Sequence, residues 1–423
     1  MLSTLRNAWK VPELRKRFLW TIFLVAIFRI GIHIPVPGID TSALSTLTES
    51  GGLLSFYNLI SGGAFTKASI LALSVSPYIN ASIIMQLLTI AIPSLEQLSK
   101  EGEDGRKKIQ SITRYVSIGI ACVLALGVYS TIANLGATSG VGTLEKIVII
   151  FSLVVGSTFC MWLGDQITQK GFGNGVSILI FVNIVSQIPS TVNSVYTLKT
   201  AGEISIIEIL LFLVGVIALL AVTIFFSLAE RRVPIQYAGK AVGSKVMKGQ
   251  STHIPLSIIG SAVIAIIFAM SVMMFPTTIA AFFPSKGWAS WITSSKYSIF
   301  NTATWMYPVC YAVLTVFFTW FYTQITFKPD EMAENLHKSA GFVPGIRPGE
   351  ATEKYFEKLL TKVSIIGGLF AAFLAVTPIL VGKYISGVQF GGTSLLILIG
   401  VALDFSRQLD SQLVMRHYDG FLK

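Results

Sequence analysis

Residues 206–228 read IIEILLFLVGVIALLAVTIFFSL, and this stretch decides the fold. It carries one ionisable side chain, Glu208, in 23 residues. A helix rises about 1.5 Å per residue, so ~20 apolar residues cross a hydrocarbon core ~30 Å thick. Only helices and closed barrels satisfy every backbone group in lipid. A barrel strand would alternate apolar and polar positions over about ten residues. This run is continuous, so it predicts a membrane-spanning helix.

Working outward, nine further apolar runs bring the predicted spans to ten, at 18–34, 69–92, 115–135, 147–163, 176–188, 206–228, 257–282, 303–327, 363–381 and 393–405. The composition agrees: 53% of the 423 residues are apolar and 13% are charged, about half the charge of a soluble domain. Soluble enzyme classes are thereby excluded. The fold class is an all-α polytopic membrane protein of ten transmembrane helices. The first span follows a basic start (Arg6, Lys10, Arg15, Lys16, Arg17), but no small-x-small cleavage site comes after it, so it is expected to be retained.

The chain carries 32 Lys and Arg against 21 Asp and Glu, and in a membrane protein that excess speaks first of orientation. With the N-terminus inside, 25 basic residues fall in cytoplasmic segments and 6 outside, with Arg29 in the first span. Both termini are expected in the cytoplasm. Two cytoplasmic loops are long, at 229–256 and 328–362. The second contains Val343-Pro344-Gly345-Ile346-Arg347-Pro348-Gly349, whose prolines and glycines predict a fixed tip. Setting topology takes charge alone and not a shaped backbone, so these loops are candidates for docking.

Chemistry is sparse. An ionisable group inside a span is a functional candidate by default. Here Arg29 sits late in the first span, where it can snorkel outward, and Glu208, Asp165 and Asp404 lie near span ends. No G-x-x-x-x-G-K-[ST] motif, HExxH or paired-Cys framework is present. No cofactor or metal is expected. Cys122, Cys160 and Cys310 read as small apolar filler, and the four histidines as polar loop residues. Gly171-Phe172-Gly173-Asn174-Gly175 lacks dinucleotide-fingerprint spacing and reads as a close-packed turn.

Between the first two spans, outside, residues 51–65 read GGLLSFYNLISGGAF. They are too apolar for water and too short to cross. Two placements fit: a re-entrant element buried in protein, physically a stopper, or an amphipathic helix on the outer surface.

Taken together, the motifs resemble the SecY family, the channel-forming subunits of the bacterial Sec protein translocon. The matching strings are Phe28-Arg29-Ile30-Gly31 with Ile34-Pro35-Val36-Pro37-Gly38-Ile39-Asp40, Ser61-Gly62-Gly63-Ala64, and Pro77-Tyr78-Ile79 with Ala81-Ser82-Ile83-Ile84. Met161-Trp162-Leu163-Gly164-Asp165-Gln166-Ile167-Thr168 and Gly173-Asn174-Gly175 follow. Then come Gln250-Ser251-Thr252-His253-Ile254-Pro255-Leu256, Gly345-Ile346-Arg347-Pro348-Gly349 and Gly391-Gly392-Thr393-Ser394-Leu395-Leu396-Ile397. They stand in family order from residue 28 to residue 397.

The resemblance implies two pseudo-symmetric inverted halves, 1–205 and 206–423, around an hourglass pore. Spans two and three would face seven and eight across a lateral gate. The waist would be an aliphatic ring of Val75, Ile79, Val176, Ile180, Ile267 and Ile397. The segment at about 54–67 matches the plug, with Leu54, Phe56, Tyr57, Asn58, Ile60, Gly62 and Gly63. Arg347, with Arg231, Arg232, Lys240, Lys245 and Lys248, would dock the SecA ATPase motor or the ribosome. SecE-like and SecG-like membrane subunits are implied partners, unfolded preproteins with signal sequences the substrate, and the plasma membrane the location. The pattern departs at Ala265, where the family usually has proline.

Three functions compete on the residues. A passive protein channel needs docking loops and an apolar waist. A secondary transporter needs a polar site at the midplane, and only interrupted spans speak for it. A membrane enzyme needs a catalytic cluster, and none is visible. The channel fits best.

Overall fold

Prolines open four of the helices, where the missing N–H is unpaired in any case. The computed structural model describes residues 9, 11–39, 58, 61–134, 142–202, 205–237, 241–242, 245–246, 251–260, 262–282, 286–301, 304–384 and 392–419. The chain divides into two compact units. One comprises Met1–Thr197, Met274–Asn301 and Gly400–Lys423; the other comprises Leu198–Met273 and Thr302–Ile399.

In the first unit, α1 (Pro12–Gly31) leads through a buried turn to an irregular segment, residues 61–75. There follow α2 (Ser76–Ala91), α3 (Pro93–Lys100), α4 (Glu103–Asn134), α5 (Thr143–Lys170) and α6 (Gly175–Thr200). The expectation of a helix from residue 69 is corrected here, because 69–75 forms turns and α2 starts at Ser76. The cause is Pro77, which drives the residue before it away from helical geometry in all but the first turn. Residues 69–75 are instead fastened to the chain after α1. Val36 N–H donates to the Ala68 carbonyl (2.7 Å), Ile70 N–H to the Ile34 carbonyl (3.1 Å), and the buried Ser69 hydroxyl to the Gly31 carbonyl (3.0 Å). Pro93 ends α2 in the same way, and α3 leaves it at 100°.

The core of this unit is built around the irregular segment. Phe65, Ala68, Ala72 and Leu73 pack with Val36, with Ala125, Val128 and Ile132 of α4, and with Ile149 and Leu153 of α5. The approach is close enough that a Cβ on Gly156 of α5 would lie 1.9 Å from the Ile70 carbonyl oxygen. Gly156→Ala is therefore expected to lower the melting temperature in detergent by several degrees, an overpacking loss of about 1–3 kcal/mol. Gly119→Ala on α4, where a Cβ meets nothing within 4 Å, is the control and should hold or raise it. Equal melting temperatures for the two variants would contradict this packing.

The turn at 171–175 is close-packed, as its glycines predict. A Cβ on Gly175 would sit 1.9 Å from the Gly164 carbonyl oxygen. Asn174 Oδ1 accepts from the N–H groups of Val176 and Ser177 and caps α6. Phe172 is buried, stacks on Phe18 and meets Phe405 edge-on, so the turn is pinned to α1 and to the last helix, α13 (Gly392–Asp419).

In the second unit, α7 (Ile206–Leu228) matches its predicted span residue for residue. Ser205 accepts from the Ile207 N–H, and Glu208 reaches back to the Ser205 N–H, a reciprocal cap that fixes the helix start. The loop after it contains β1 (Glu230–Tyr237), β2 (Ala241–Val242), β3 (Lys245–Val246) and β4 (Ser251–Ser257). Next come α8 (Ala262–Phe282), α9 (Gly287–Ser294), α10 (Met306–Phe327), α11 (Pro329–Lys338), β5 (Gly341–Phe342) and α12 (Glu350–Tyr384). Of these, α9 lies in the first unit; α6, α8 and α13 have residues in both.

The two long loops are thus structured. β1 pairs antiparallel with β4 on one side and β5 on the other. Val233 and Ile235 alternate inward and pack with Leu256, Leu336 of α11, Val343, and Phe356 and Leu360 of α12. Antiparallel α10 and α12 are joined where Gln324 donates to Thr361 (3.0 Å), and Gly368 admits Val316 and Thr319 closely. Each of the ten predicted spans contains one helix. By length and composition alone six of the described helices could cross a membrane, or seven if α2 and α3 count as one bent span.

Candidate functional site: a latched segment, aliphatic positions and basic tips

An unsatisfied polar group is costly at membrane depth, so irregular backbone persists there only with partners. Asn58 and residues 61–67 find theirs locally and on two helices. Asn58 Oδ1 accepts from the Thr66 N–H and hydroxyl, both at 3.2 Å, and its carbonyl accepts from the Gly63 N–H at 2.9 Å. Ser61, Ala64 and Phe65 are buried. The described end of this segment therefore lies within the first unit, which fits the re-entrant placement. Leu54, Phe56, Tyr57 and Ile60 lie outside the described residues.

Three polar side chains on α6 face this segment. The Asn183 amide donates to the Ser74 hydroxyl (3.3 Å), and Gln187 donates to the Asn58 carbonyl (3.4 Å). Ser186 accepts from Arg29 of α1 at 2.9 Å, while Arg29 Nη1 also reaches the Gly62 carbonyl at 3.5 Å. Gly62 has φ +69°, and a Cβ there would meet Asn183 Oδ1 at 2.5 Å; glycine is required twice over. Arg29 is half-buried and its guanidinium is turned toward Ser186. Sequence reasoning passed over Asn183, Ser186 and Gln187. Their signal was a polar stripe at spacings of three and four inside an apolar run.

The six ring positions fall as follows. Val75 is fully buried and immediately precedes α2, not within it; its carbonyl accepts from the half-buried Ile79 N–H (3.1 Å) in the first turn. Val176 and Ile180 are four apart, on one face of the start of α6. These four belong to the first unit. Ile267, on α8, and Ile397, on α13, belong to the second.

The basic candidates sit on the sheet side of the second unit. Arg231 and Arg232 are exposed on β1, opposite Leu256 and Pro255 of β4. Arg347 is exposed on a tip whose backbone is held from both sides. Val343 is buried before it, and the Thr352 hydroxyl donates to the Arg347 carbonyl at 2.8 Å. Lys245 lies on β3, and Lys240 and Lys248 lie outside the described residues. Among the described residues, none of these three arginines enters an ion pair, whereas Lys328, Lys338 and Lys354 each pair with a nearby glutamate.

The SecY family model matches residues 69–406. The protein translocase subunit SecY of Rickettsia typhi is 40% identical over 420 residues, covering 97% of this chain and 96% of the relative. A solved protein-conducting channel aligns with a TM-score of 0.67 at 18% identity, covering 97% of each chain. A second, titled for a SecY plug domain that stabilises the closed state and maintains a membrane seal, aligns at 0.65 and 16%, again covering 97% of each.

Proposed function

This chain belongs to the SecY family, and we propose that it is the channel subunit through which unfolded secretory polypeptides cross the plasma membrane and membrane segments enter it sideways. The observation that carries the reading is the buried, irregular segment 61–75, non-helical backbone sheltered inside a helical membrane protein. Such backbone is tolerated where it lines a cavity or is enclosed by protein. In this reading residues 54–67 are the plug.

The halves 1–205 and 206–423 form the inverted pair around the pore. Val75, Ile79, Val176, Ile180, Ile267 and Ile397 close its waist, because an apolar constriction sheds water and so stops ions. Spans two and three open against seven and eight, and burial of apolar side chains at about 25 cal/mol per Å² drives a signal sequence into lipid there. Arg347, Arg231 and Arg232, with Lys240, Lys245 and Lys248, receive an ATPase motor of the SecA type or a ribosome. SecE-like and SecG-like subunits complete the complex. Both termini face the cytoplasm, as the 25 to 6 division of basic residues supports. The chain itself performs no catalysis; the energy comes from the motor.

The test is reconstitution. The chain and its small membrane partner are placed in liposomes with the motor, ATP and a secretory precursor. Full-length precursor should become protease-protected only when ATP is present. Absence of protection with partner and motor demonstrably bound would remove the proposed function.

A further inference from the structure

Arg29 is a cation inside a helical bundle whose described partners are neutral. They are the Ser186 hydroxyl at 2.9 Å and the Gly62 carbonyl at 3.5 Å, and no ion pair to Arg29 occurs among the described residues. A half-buried guanidinium needs acceptors, since it cannot give up its proton. One of the acceptors in place belongs to the segment read as the plug. The other comes from α6, where Ser186 is itself oriented by donating to the Asn183 carbonyl at 2.7 Å. Beside this contact Gln187 donates to the Asn58 carbonyl, and a Cβ on Gly63 would lie 3.1 Å from Gln187 Nε2. The segment's own hydrogen bonds, from the Gly63 and Thr66 N–H groups to Asn58, tie the two gripped carbonyls to one another.

We propose that Arg29 of α1, with Ser186 and Gln187 of α6, forms a polar latch that holds the plug in its closed position by the backbone carbonyls of Asn58 and Gly62. The inference rests on the plug reading above. Both latch donors address backbone carbonyls of the segment, so the grip is independent of the segment's side chains. Displacing the segment takes an acceptor from Arg29 and from Gln187 together. Of the two, only the Arg29 contact carries a charge on its donor, and its 2.9 Å bond to Ser186 holds the guanidinium beside the Gly62 carbonyl. The latch positions the plug and takes no part in moving the polypeptide.

The experiment measures resting halide leak from liposomes that hold the chain with its small membrane partner, without motor. Arg29→Met and Ser186→Ala should each raise the leak about tenfold, the ratio that corresponds to ~1.4 kcal/mol of closed-state preference. Ser186→Thr keeps a hydroxyl in place and should leave the leak at its original level, which a merely volumetric role for Ser186 would not produce. If Arg29→Met fails to accumulate, the Ser186 pair still decides. Deletion of 54–67 is the reference. A leak raised by the deletion but by neither substitution overturns the latch and leaves the plug reading intact. A leak raised by none of them overturns both.

Discussion

Arg347→Glu is expected to cut motor-driven export by about tenfold or more while the chain still inserts and accumulates normally. The argument begins with backbone. Gly345 and Gly349 adopt φ of +83° and +97°, which side chains resist, and they turn the chain sharply on either side of the arginine. Val343 is buried in the sheet core and Ile346 packs against that core, with its N–H on the Val343 carbonyl at 3.1 Å. Thr352, almost fully buried, closes the far side by its bond to the Arg347 carbonyl. The guanidinium thus stands exposed on a rigid tip, and no carboxylate among the described residues neutralises it. A charge presented in this way, with little ordering left to complete, suits docking of an acidic partner surface. Placing like charges together at an interface costs several kcal/mol, so a tenfold loss, which corresponds to about 1.4 kcal/mol, is the lower bound of the expected effect. Lys354→Gln is the control. Lys354 is already engaged by Glu350 at 2.6 Å, and its neutralisation should change export little. Unchanged export by the Arg347→Glu chain, at equal amounts in the membrane, would remove the docking role.

The parts legible in the sequence were those that a single helix decides for itself. Residues 206–228 needed no tertiary information, because the apolar run and the Ser205–Glu208 cap are both local. The turn at 171–175 was legible for the same reason: its glycines and Asn174 act within a few residues. The start of α2 was misread because hydropathy is blind to backbone direction. Residues 69–75 are as apolar as a helix, yet Pro77 forbids the helix from continuing through Val75. The sheet of the second unit was hidden because two of its strands, β1 and β5, lie about a hundred residues apart in the chain. Only the alternation at Val233 and Ile235 announced it. The polar stripe on α6 was in plain view, but its meaning depends on Arg29 and Gly62, which arrive from 157 and more than a hundred residues away. Long-range partners of this sort follow from topology and not from periodicity.

The proposed aliphatic ring supplies the other large expected effect. Replacing Ile79 with Asn should raise resting ion conductance across a planar bilayer by an order of magnitude or more, with the plug still present. The physical step is wetting. Water leaves a narrow apolar constriction because it cannot keep its hydrogen bonds there, and ions do not pass where water will not stand. An amide at the waist restores two donors and an acceptor and lets a water column form. Ile79 is the position to change first, since it is half-buried in the first turn of α2 and the amide need not be enclosed. At Ile180, which is 7% exposed, the same change would bury a polar group at a penalty of about 1–3 kcal/mol and confuse leak with unfolding. Ile79→Leu keeps the volume and the dryness and should leave conductance unchanged. The comparison also separates the two barriers. A latch defect leaks because the stopper has moved, so restoring the Ser186 hydroxyl repairs it. A ring defect leaks through a wetted waist, and restoring Ser186 would do nothing. Conductance of the Ile79→Asn channel equal to that of Ile79→Leu would mean that Ile79 does not line the constriction, and the six aliphatic positions would have to be sought on another face of these helices.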